Sequence, residues 1–474
     1  MTLPCGNSLC RPCLPPRYRR ANISYPQDIS RIEGFICPFR DCGLEHAIGD
    51  CSMDVTLSKL VDTVKSHMLS YRLPQSDMPL LLDERLHWKN VVDSSMDVMP
   101  RSRVLHGGRV AATYTFADMG ELDYHSEVSY TPTNHRTLES LDDLNVTVVE
   151  KLRDFVRGEL DCQVCYNLIL DPLTTSCGHT FCRQCVARVL DHSNLCPVCR
   201  RRLPMAPGVQ AEPSNKRISY ILQGLLSEQY RIRRETAAQE EAMDDGSRIA
   251  LFPCTLSFPS MPTFLHIFEP RYRLMIRRSI ENGSRRFGIM MYNHSRRPQG
   301  SLGNVQFMQY GTLLHIQNVE IFPDGRSLIE TRGLSRFRIL DASLVDGYMV
   351  GHTQRIDDIS LAEEEAIEAR ETSGDPPPED DVIAQIQHMS TQRLLQYGLD
   401  FIGDARSRSA DWLAENILAA YGQPPTDPAT FPYWFASVLP IAEDEKFRLL
   451  PTTSVRERLK ITARWIQRLE AQRW

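Results

Sequence analysis

Residues 162–199 read CQVCYNLILDPLTTSCGHTFCRQCVARVLDHSNLCPVC, and this stretch decides the fold of the middle of the chain. Its seven cysteines and His179 form four close pairs: Cys162 and Cys165, Cys177 and His179, Cys182 and Cys185, and Cys196 and Cys199. A structural zinc ion takes four thiolate or imidazole ligands in a tetrahedron, and each pair can supply two of them from one tight turn. Eight such ligands in series predict two closed zinc sites.

A disulfide framework is the alternative, but it requires an oxidising compartment and is typical of small secreted domains. The chain opens MTLPCGNSLC, without an apolar signal segment. Twelve of the fourteen cysteines lie in two clusters, at 5–42 and 162–199, which is typical of metal sites in a reducing compartment. We therefore expect zinc and a cytoplasmic or nuclear location. Of the two cysteines outside the clusters, Cys51 and Cys254, we expect Cys254 to be a buried core thiol.

The composition bounds the number of domains and the partners. A chain of 474 residues predicts about two to four domains. The net charge of −6 gives no case for specific nucleic-acid binding, and without a run of eighteen apolar residues we expect no membrane span. The sequence contains no GxxxxGK[ST] phosphate loop, so we expect neither ATP nor another nucleotide as a cofactor.

An internal repeat links the start of the chain to the central cysteines. CGNSLCRPC at Cys5–Cys13 has the spacing of CGHTFCRQC at Cys177–Cys185, with five of nine residues identical, and CPFRDC at Cys37–Cys42 stands in the place of CPVC. We call residues 1–65 the first copy and residues 162–199 the second copy.

The first copy is incomplete. Asn7 replaces the histidine, the last pair is spaced CxxxxC, and the pair equivalent to Cys162 and Cys165 would lie upstream of Met1. These departures predict a degenerate module or a chain truncated in its first module. An amide oxygen is a poor zinc ligand, so we expect a module kept for packing, with a degenerate site that contains Cys5, Cys10, Cys13, Cys37 and Cys42.

Two further segments flank the second copy. Residues 66–140 lack sustained periodicity and predict a linker, partly disordered. A helical lead-in opens the domain at 141–205, and residues 206–247 predict a helical linker. There Asn215 is a good N-cap, followed by apolar residues at helical spacing: Ile218, Ile221, Leu222, Leu225 and Leu226. The charged end of this helix is a solvated face or, as the alternative, part of a coiled-coil homodimer.

Residues 248–470 predict a β-barrel followed by helices. Short alternating apolar runs between turn residues indicate the barrel at 248–355, interrupted by one helix from Pro270 to about Asn282. Asp324-Gly325 is a hairpin signal. The acidic, proline-rich stretch 371–381 predicts a loop, and 382–470 predicts a helical bundle.

The ligand order of the second copy resembles the RING finger. The resemblance implies interleaved pairs, and spacing alone does not choose these over consecutive pairs. One zinc ion would bind Cys162, Cys165, Cys182 and Cys185, and the other would bind Cys177, His179, Cys196 and Cys199. RING fingers typically serve ubiquitin ligases, which hold a ubiquitin-charged conjugating enzyme and have no nucleophile of their own. Family positions that contact this enzyme match Val164, Leu195, Pro197 and Arg200, whereas Val189 replaces a residue that is often aromatic.

The C-terminal part resembles the N-terminal substrate-binding domain of Lon proteases. The resemblance rests on Leu251-Phe252-Pro253, on LHIFEPRY at Leu265–Tyr272, and on later motifs such as Arg336-Phe337-Arg338-Ile339. It implies a PUA-like β-barrel followed by a helical bundle, with protein substrates bound by residues 248–470. We expect the charged residues of His266–Arg273 to hold the domain's own turns. The sequence lacks ATPase and protease motifs, so an ATP-dependent protease is not expected.

Together these features resemble the family of Lon peptidase N-terminal domain and RING finger proteins. The expected fold class is multidomain α+β: small zinc-bound RING modules, a PUA-like β-barrel and a C-terminal helical bundle. The implied function is that of a RING-type ubiquitin-protein ligase that recruits substrates through its Lon-like domain. The alternative is a non-catalytic, zinc-binding interaction scaffold with a Lon-like recognition domain.

Overall fold

The computed structural model describes residues 1–26, 28–72, 81–89, 101–106, 109–122, 127–132, 138–190, 193–203, 205, 209, 212–243, 248–378 and 380–471. Its N-terminal half contains, in chain order, strands β1 (Tyr18–Arg19), β2 (Glu33–Ile36) and β3 (Glu45–Ala47), helix α1 (Val55–Arg72), strands β4 (Leu81–Lys89) and β5 (Arg101–His106), helix α2 (Arg109–Asp118), strand β6 (Glu127–Pro132), helix α3 (Leu138–Glu159), strands β7 (Pro172–Thr174) and β8 (Thr180–Cys182), and helices α4 (Arg183–Leu190), α5 (Lys216–Leu225) and α6 (Ser227–Met243).

The segment 66–140, predicted to be a linker, contains regular structure where it is described. Strands β5, β4 and β6 form a three-stranded antiparallel sheet in that order, and α2 lies between β5 and β6 in the chain. Other parts of the predicted linker, such as 73–80 and 90–100, lie outside the described residues. Strand β5 reads RSRVLH, which does not alternate polar and apolar residues, whereas EVSYTP of β6 does alternate but stands alone in a polar stretch.

The helices that flank the second copy, α3 and α5, pack together. Asn215 caps α5, because its side chain accepts a hydrogen bond from the backbone N–H of Ile218 at 3.1 Å. Leu222 and Ile218 are fully buried against apolar residues of α1 and α3, among them Leu60 and Val156. The predicted helix after Asn215 is therefore confirmed, and it continues as α6 after a break at Leu226.

The two copies face each other through the residues that cap their following helices. Asp54 precedes α1 and accepts from Leu57 N–H at 2.9 Å, as Asn215 does at the start of α5. The two capping side chains meet, because Asn215 Nδ2 donates to Asp54 Oδ2 at 2.7 Å. Asp54 and Asn215 are both buried, so the contact lies inside the molecule.

A hydroxyl group from each copy completes this contact. Thr2 Oγ1 donates to Asp54 Oδ2 at 2.6 Å, and Asn215 Nδ2 donates to Thr174 Oγ1 at 2.7 Å. Thr2 and Thr174 occupy the same position of the repeat, three residues before the first cysteine of each nine-residue motif. A buried polar network in which every member has a partner favours one arrangement over others.

The glycine after that cysteine also has the same role in both copies. Gly6 and Gly178 have φ values of +76° and +89°. The Gly6 carbonyl accepts from Lys216 N–H, and the Gly178 carbonyl accepts from Val55 N–H, both at 2.9 Å. Each copy therefore docks its turn on the start of the helix that follows the other copy, and the repeat forms a reciprocal pair within one chain.

The C-terminal half contains strands β9 (Arg248–Cys254) and β10 (Pro262–Ile267), helix α7 (Pro270–Glu281), strands β11 (Arg286–Tyr292), β12 (Phe307–Ile321), β13 (Ser327–Val345) and β14 (Tyr348–Ile356), and helices α8 (Leu361–Glu371), α9 (Val382–His388), α10 (Thr391–Ser407), α11 (Glu415–Tyr421), α12 (Phe431–Val438), α13 (Glu443–Lys446) and α14 (Val455–Ala471). The predicted multidomain α+β class is confirmed. No helix among the described residues is both long and apolar enough to cross a membrane.

The barrel closes because one long strand, β13, pairs with two different strands, β10 and β14, along the same edge. Strand β13 pairs with β10 through residues 327–332 and with β14 through residues 336–345. The order β13-β12-β11-β9-β14 then returns to β13, while β10 extends the sheet beside it. The predicted hairpin at Asp324-Gly325 joins β12 to β13, and Gly325 has a φ of +81°.

The charged residues of the stretch 266–273 mostly hold local turns, as expected. Arg271 forms an ion pair with Glu269 at 2.7 Å, and the Arg273 guanidinium lies where a side chain on Gly325 would stand. The expectation for Cys254 is wrong: it is exposed, at the end of β9. Leu251 and Phe252 are buried, Pro253 is half-buried and Cys254 is exposed, so the strand leaves the barrel core at its end.

Buried charges join the first copy to α8 of the C-terminal half. The Glu365 carboxylate is fully buried and lies 2.6 Å from Arg31 Nε and 2.9 Å from Arg20 Nη1. Ser24 N–H donates to Glu368 in the next turn of α8 at 3.0 Å. The first copy thus contacts both the second copy and the C-terminal helices.

A methyl group on Gly6 is expected to break the pairing of the copies. An ideal Cβ there would lie 2.1 Å from the Ser214 carbonyl oxygen, so Gly6→Ala cannot dock unchanged. Gly43→Ala is the matched control, because Gly43 also has a positive φ (+61°) but nothing within 4 Å of its Cβ position. We expect faster amide exchange at Lys216 in Gly6→Ala alone, measured by mass spectrometry. Equal exchange in the two variants would contradict the pairing.

Candidate metal centre

The first ligand cluster of the second copy combines two pairs that are distant in the chain. Cys162, Cys165, Cys182 and Cys185 place their sulfur atoms within 4.8 Å of one another. Four thiolates at about 2.3 Å from a zinc ion lie about 3.8 Å apart in a regular tetrahedron. The Sγ atoms of Cys165 and Cys182 are 3.8 Å apart. The donor set therefore fits zinc.

The second cluster contains Cys177, His179, Cys196 and Cys199, again within 4.8 Å. His179 directs Nδ1 at the sulfurs of Cys177 and Cys196, at 3.5 and 3.8 Å. These separations are close to the roughly 3.5 Å expected between a thiolate and an imidazole nitrogen on one zinc ion. The structure thus brings together the interleaved sets that the RING resemblance implied, and not consecutive pairs.

Short elements between the pairs position the ligands. The two-stranded hairpin of β7 and β8 carries Cys177 and His179 in its turn and Cys182 at its end, and α4 then presents Cys185. The backbone N–H of Leu170 donates to Cys182 Sγ at 3.2 Å, and the Thr175 hydroxyl lies 3.1 Å from Cys177 Sγ. Such donors stabilise a metal-bound thiolate.

The pKa values of the ligand groups in the second copy shift in both directions. Burial, and next the positive charge of Arg201, lower the pKa of His179, so its imidazole is neutral at pH 7. Sulfur hydrogen bonds from Cys182 and then Cys185 lower the pKa of Cys162, and the contact with Cys162 raises the pKa of Cys182. Neutral imidazole and thiolate are the forms that coordinate zinc.

The four residues that match conjugating-enzyme contacts lie on two loops, residues 162–166 and 195–200, which we call the zinc loops. Leu195, Pro197 and Arg200 are exposed, and Val164 is half-buried against the core of the second copy. Arg200 has a left-handed backbone, with φ +58°, and its N–H closes the turn on the Cys196 carbonyl at 2.9 Å. Val189 is half-buried on α4.

Two further exposed apolar residues were missed from the sequence. Tyr166 and Val198 are 78% and 47% exposed, and each sits within a zinc loop. The available signal was their position, because Tyr166 directly follows Cys165 and Val198 lies between Cys196 and Cys199.

The first copy holds a different cluster from the predicted one. Cys5, Cys37 and Cys42 come together with His46, which the sequence analysis did not select. Cys10 and Cys13 are exposed, 2.8 Å apart, and outside this cluster. The predicted five-cysteine site is therefore corrected. The available signal was the spacing of Cys42 and His46, which are four residues apart.

Two family models match the chain. The model of the zinc finger of C3HC4 type (RING finger) matches residues 161–199, and that of the ATP-dependent protease La (LON) substrate-binding domain matches residues 248–468. The fold and the site thus define a RING finger protein with a Lon substrate-binding domain. Over its full length the chain is similar to the LON peptidase N-terminal domain and RING finger proteins. It is 29% identical to one from Schizosaccharomyces pombe over 494 aligned residues, which cover 100% of this chain and 92% of that protein.

Shorter matches connect the chain to proteins named as E3 ubiquitin-protein ligases. It is 44% identical over 48 residues to rnf168 of Danio rerio, covering 10% of each chain, and 38% identical over 83 residues to TRIM35 of Homo sapiens, covering 17% of this chain and 15% of that one. Among solved structures, the Lon N-terminal domain protein of Xanthomonas campestris is 20% identical with a TM-score of 0.29, covering 46% of this chain and 98% of that one.

Removal of metal is expected to unfold the second copy and to spare the barrel. Four ligands, Cys162, Cys182, Cys185 and Cys196, form part of its small buried core, so zinc binding and folding are coupled. A chelator should abolish amide protection across residues 162–203, while strands β9–β14 keep theirs. Hydrogen exchange with mass spectrometry measures both regions in one sample. A second copy that keeps its protection after its metal has left would contradict this coupling.

Proposed function

We propose that this protein is a RING-type ubiquitin-protein ligase. The observation that carries the proposal is the second copy, which combines two interleaved ligand clusters with exposed contact residues on both zinc loops. RING relatives named as ubiquitin ligases support the same class. In this reading the second copy binds two zinc ions, and its partner is a conjugating enzyme charged with ubiquitin.

Such a ligase accelerates ubiquitin transfer by orienting the thioester of the conjugating enzyme. With four protein ligands in each cluster, zinc has no open position for water, so the metal supplies structure. The apolar residues Val164, Leu195 and Pro197 bind the conjugating enzyme, and Arg200 presents a planar fork of donors to it and to ubiquitin. Holding the thioester in an attack-ready geometry converts a bimolecular encounter into an effectively unimolecular step.

Substrate recruitment belongs to the C-terminal half in this proposal. Strand β10 alternates, with Leu265 and Ile267 buried and with Phe264, His266 and Phe268 exposed on the outer face. We call the outer face formed by Phe264, His266, Phe268, Phe322 and Leu328 the β10 patch.

The β10 patch lies at a sheet edge. His266 stands opposite Leu328 in the pairing of β10 with β13, and its ring lies 5.9 Å from Phe268 and 6.5 Å from Phe322. Within the described residues, β10 has a strand neighbour on one side only. An apolar face beside a free strand edge fits extended, apolar segments of a protein substrate.

The first copy connects the second copy to the C-terminal half. It pairs with the second copy through the hydrogen bond between Asp54 and Asn215, and it binds α8 through the ion pair between Arg31 and Glu365. A substrate bound at the C-terminal half is then held at a defined distance from the RING. We propose a cytoplasmic or nuclear location and no ATP requirement. The coiled-coil homodimer, which is the alternative for the charged end of α6, stays a prediction.

The competing function is a non-catalytic zinc scaffold. Replacing Arg200 by alanine separates the two, because it removes charged hydrogen bonds worth about 1.5–3 kcal/mol. Arg200→Ala and Val164→Ala are expected to slow autoubiquitination by the full-length chain roughly ten- to hundredfold at unchanged zinc content. Arg234→Ala, an exposed arginine on α6, makes the same charge change outside the zinc loops and serves as control. Rates equal to wild type in both loop variants would favour the scaffold.

The β10 patch is tested with a permanently unfolded protein, reduced and carboxymethylated α-lactalbumin. Losing a buried phenylalanine contact costs about 1.5–3 kcal/mol. The double variant Phe264→Ser/Phe268→Ser should therefore ubiquitinate this probe at least about tenfold more slowly, with unchanged autoubiquitination. Leu344→Ser is the control, because Leu344 is 71% exposed near the other end of β13. Unchanged modification of the probe in the double variant would remove the patch from the proposal.

A further inference from the structure

The cluster in the first copy has the separations of a metal site. Cys5 Sγ and Cys37 Sγ are 3.9 Å apart, and Cys42 Sγ lies 3.5 Å from Nε2 of His46. All four ligand atoms lie within 4.8 Å of one another. These distances match the roughly 3.8 Å and 3.5 Å expected between ligand atoms of a tetrahedral zinc ion. They are nearly the same as those of the two clusters in the second copy.

The local fold supplies these ligands from three separate segments. Cys37 directly follows β2, Cys42 lies in the turn to β3, and His46 is the central residue of β3. His46 is 5% exposed, and its ring lies 5.9 Å from that of Phe35, its partner across the strands. Cys5 comes from the N-terminal turn. A buried imidazole that meets three thiols from distant segments has the placement of a ligand.

Asn7 has a different role from that of the histidine at the equivalent position of the second copy. It stands where the second copy has its histidine ligand, and its Nδ2 lies 3.4 Å from Cys5 Sγ. The side chain thus turns its amide N–H toward the sulfur, and its oxygen is not a ligand. A hydrogen bond of this kind stabilises a thiolate on a metal. His46 of β3 supplies the fourth ligand atom of the cluster in place of the missing histidine.

A group of unliganded thiols that serves packing is the alternative. Cys5 and Cys37 are too far apart for a disulfide, whose sulfur atoms lie about 2.05 Å from each other. Cys51 shows what a packed thiol looks like in this module: it is buried and directs its sulfur at the Ala47 carbonyl, outside the cluster. Packing does not require a fourth, nitrogen ligand at 3.5 Å from Cys42.

We propose that the first copy binds one zinc ion through Cys5, Cys37, Cys42 and His46, and that Cys10 and Cys13 take no part in it. This site is independent of ligase activity. It fixes the β2–β3 hairpin and the N-terminal turn, the two parts of the first copy that flank Arg31 and Thr2. The metal therefore holds together the surfaces through which the first copy contacts α8 and the second copy.

Zinc content of the full-length chain tests the proposal by counting. The three clusters among the described residues predict three zinc ions per chain, measured by inductively coupled plasma mass spectrometry on protein of known concentration. His46→Ala and Cys42→Ser should each contain two. The double variant Cys10→Ser/Cys13→Ser, which removes two thiols from the same module, should keep three. A wild-type chain with two zinc ions, or three in both cluster variants, would overturn the site.

Cobalt substitution identifies His46 as a ligand even if the alanine variant loses its fold. His46→Cys keeps four ligands and should keep three metal ions, but it changes one site from three sulfurs and one nitrogen to four sulfurs. The visible d–d bands of the cobalt-loaded variant should shift to longer wavelength relative to cobalt-loaded wild type. Superimposable spectra at equal metal content would show that His46 does not coordinate and would overturn the proposal.

Discussion

The tetrahedral arrangement of ligands is the constraint on which the N-terminal half depends. The second copy buries few apolar side chains, and four of its buried residues are themselves cysteine ligands. Modules of about forty residues seldom bury enough surface to be stable without a metal or a disulfide. Metal binding therefore stabilises the second copy in place of a larger hydrophobic core, and it fixes the position of the loops that carry Val164 and Arg200.

Pairing of the two copies fixes the position of the second copy relative to the first copy, which in turn contacts the C-terminal helices. Each module offers a turn with a glycine in the left-handed region, and each accepts the other's turn at the start of its following helix. Asp54 and Asn215 sit at the centre of that exchange, buried and mutually bonded. Glu365 then ties the first copy to the C-terminal helices. The module with the altered ligand set is thus the link between the RING and the Lon-like domain.

The sequence predicted features that depend on local spacing. The ligand positions of the second copy, the cap at Asn215 and the hairpin at Asp324-Gly325 each follow from residues close together in the chain. His46 was not predicted because the repeat aligned Asn7 with the histidine of the second copy, whereas His46 lies on β3. The pairing of the copies joins residues far apart, such as Asp54 and Asn215. The sheet of β4–β6 and the double pairing of β13 depend in the same way on long-range register.

Discharge of ubiquitin from a charged conjugating enzyme onto free lysine tests the central claim most directly. In a single-turnover assay the full-length, zinc-loaded chain should accelerate the discharge, because its only contribution is orientation of the thioester. The second copy is already paired within its own chain, so the rate should rise in proportion to the concentration of the protein. No acceleration by a chain with intact zinc, across a panel of conjugating enzymes, would contradict the account.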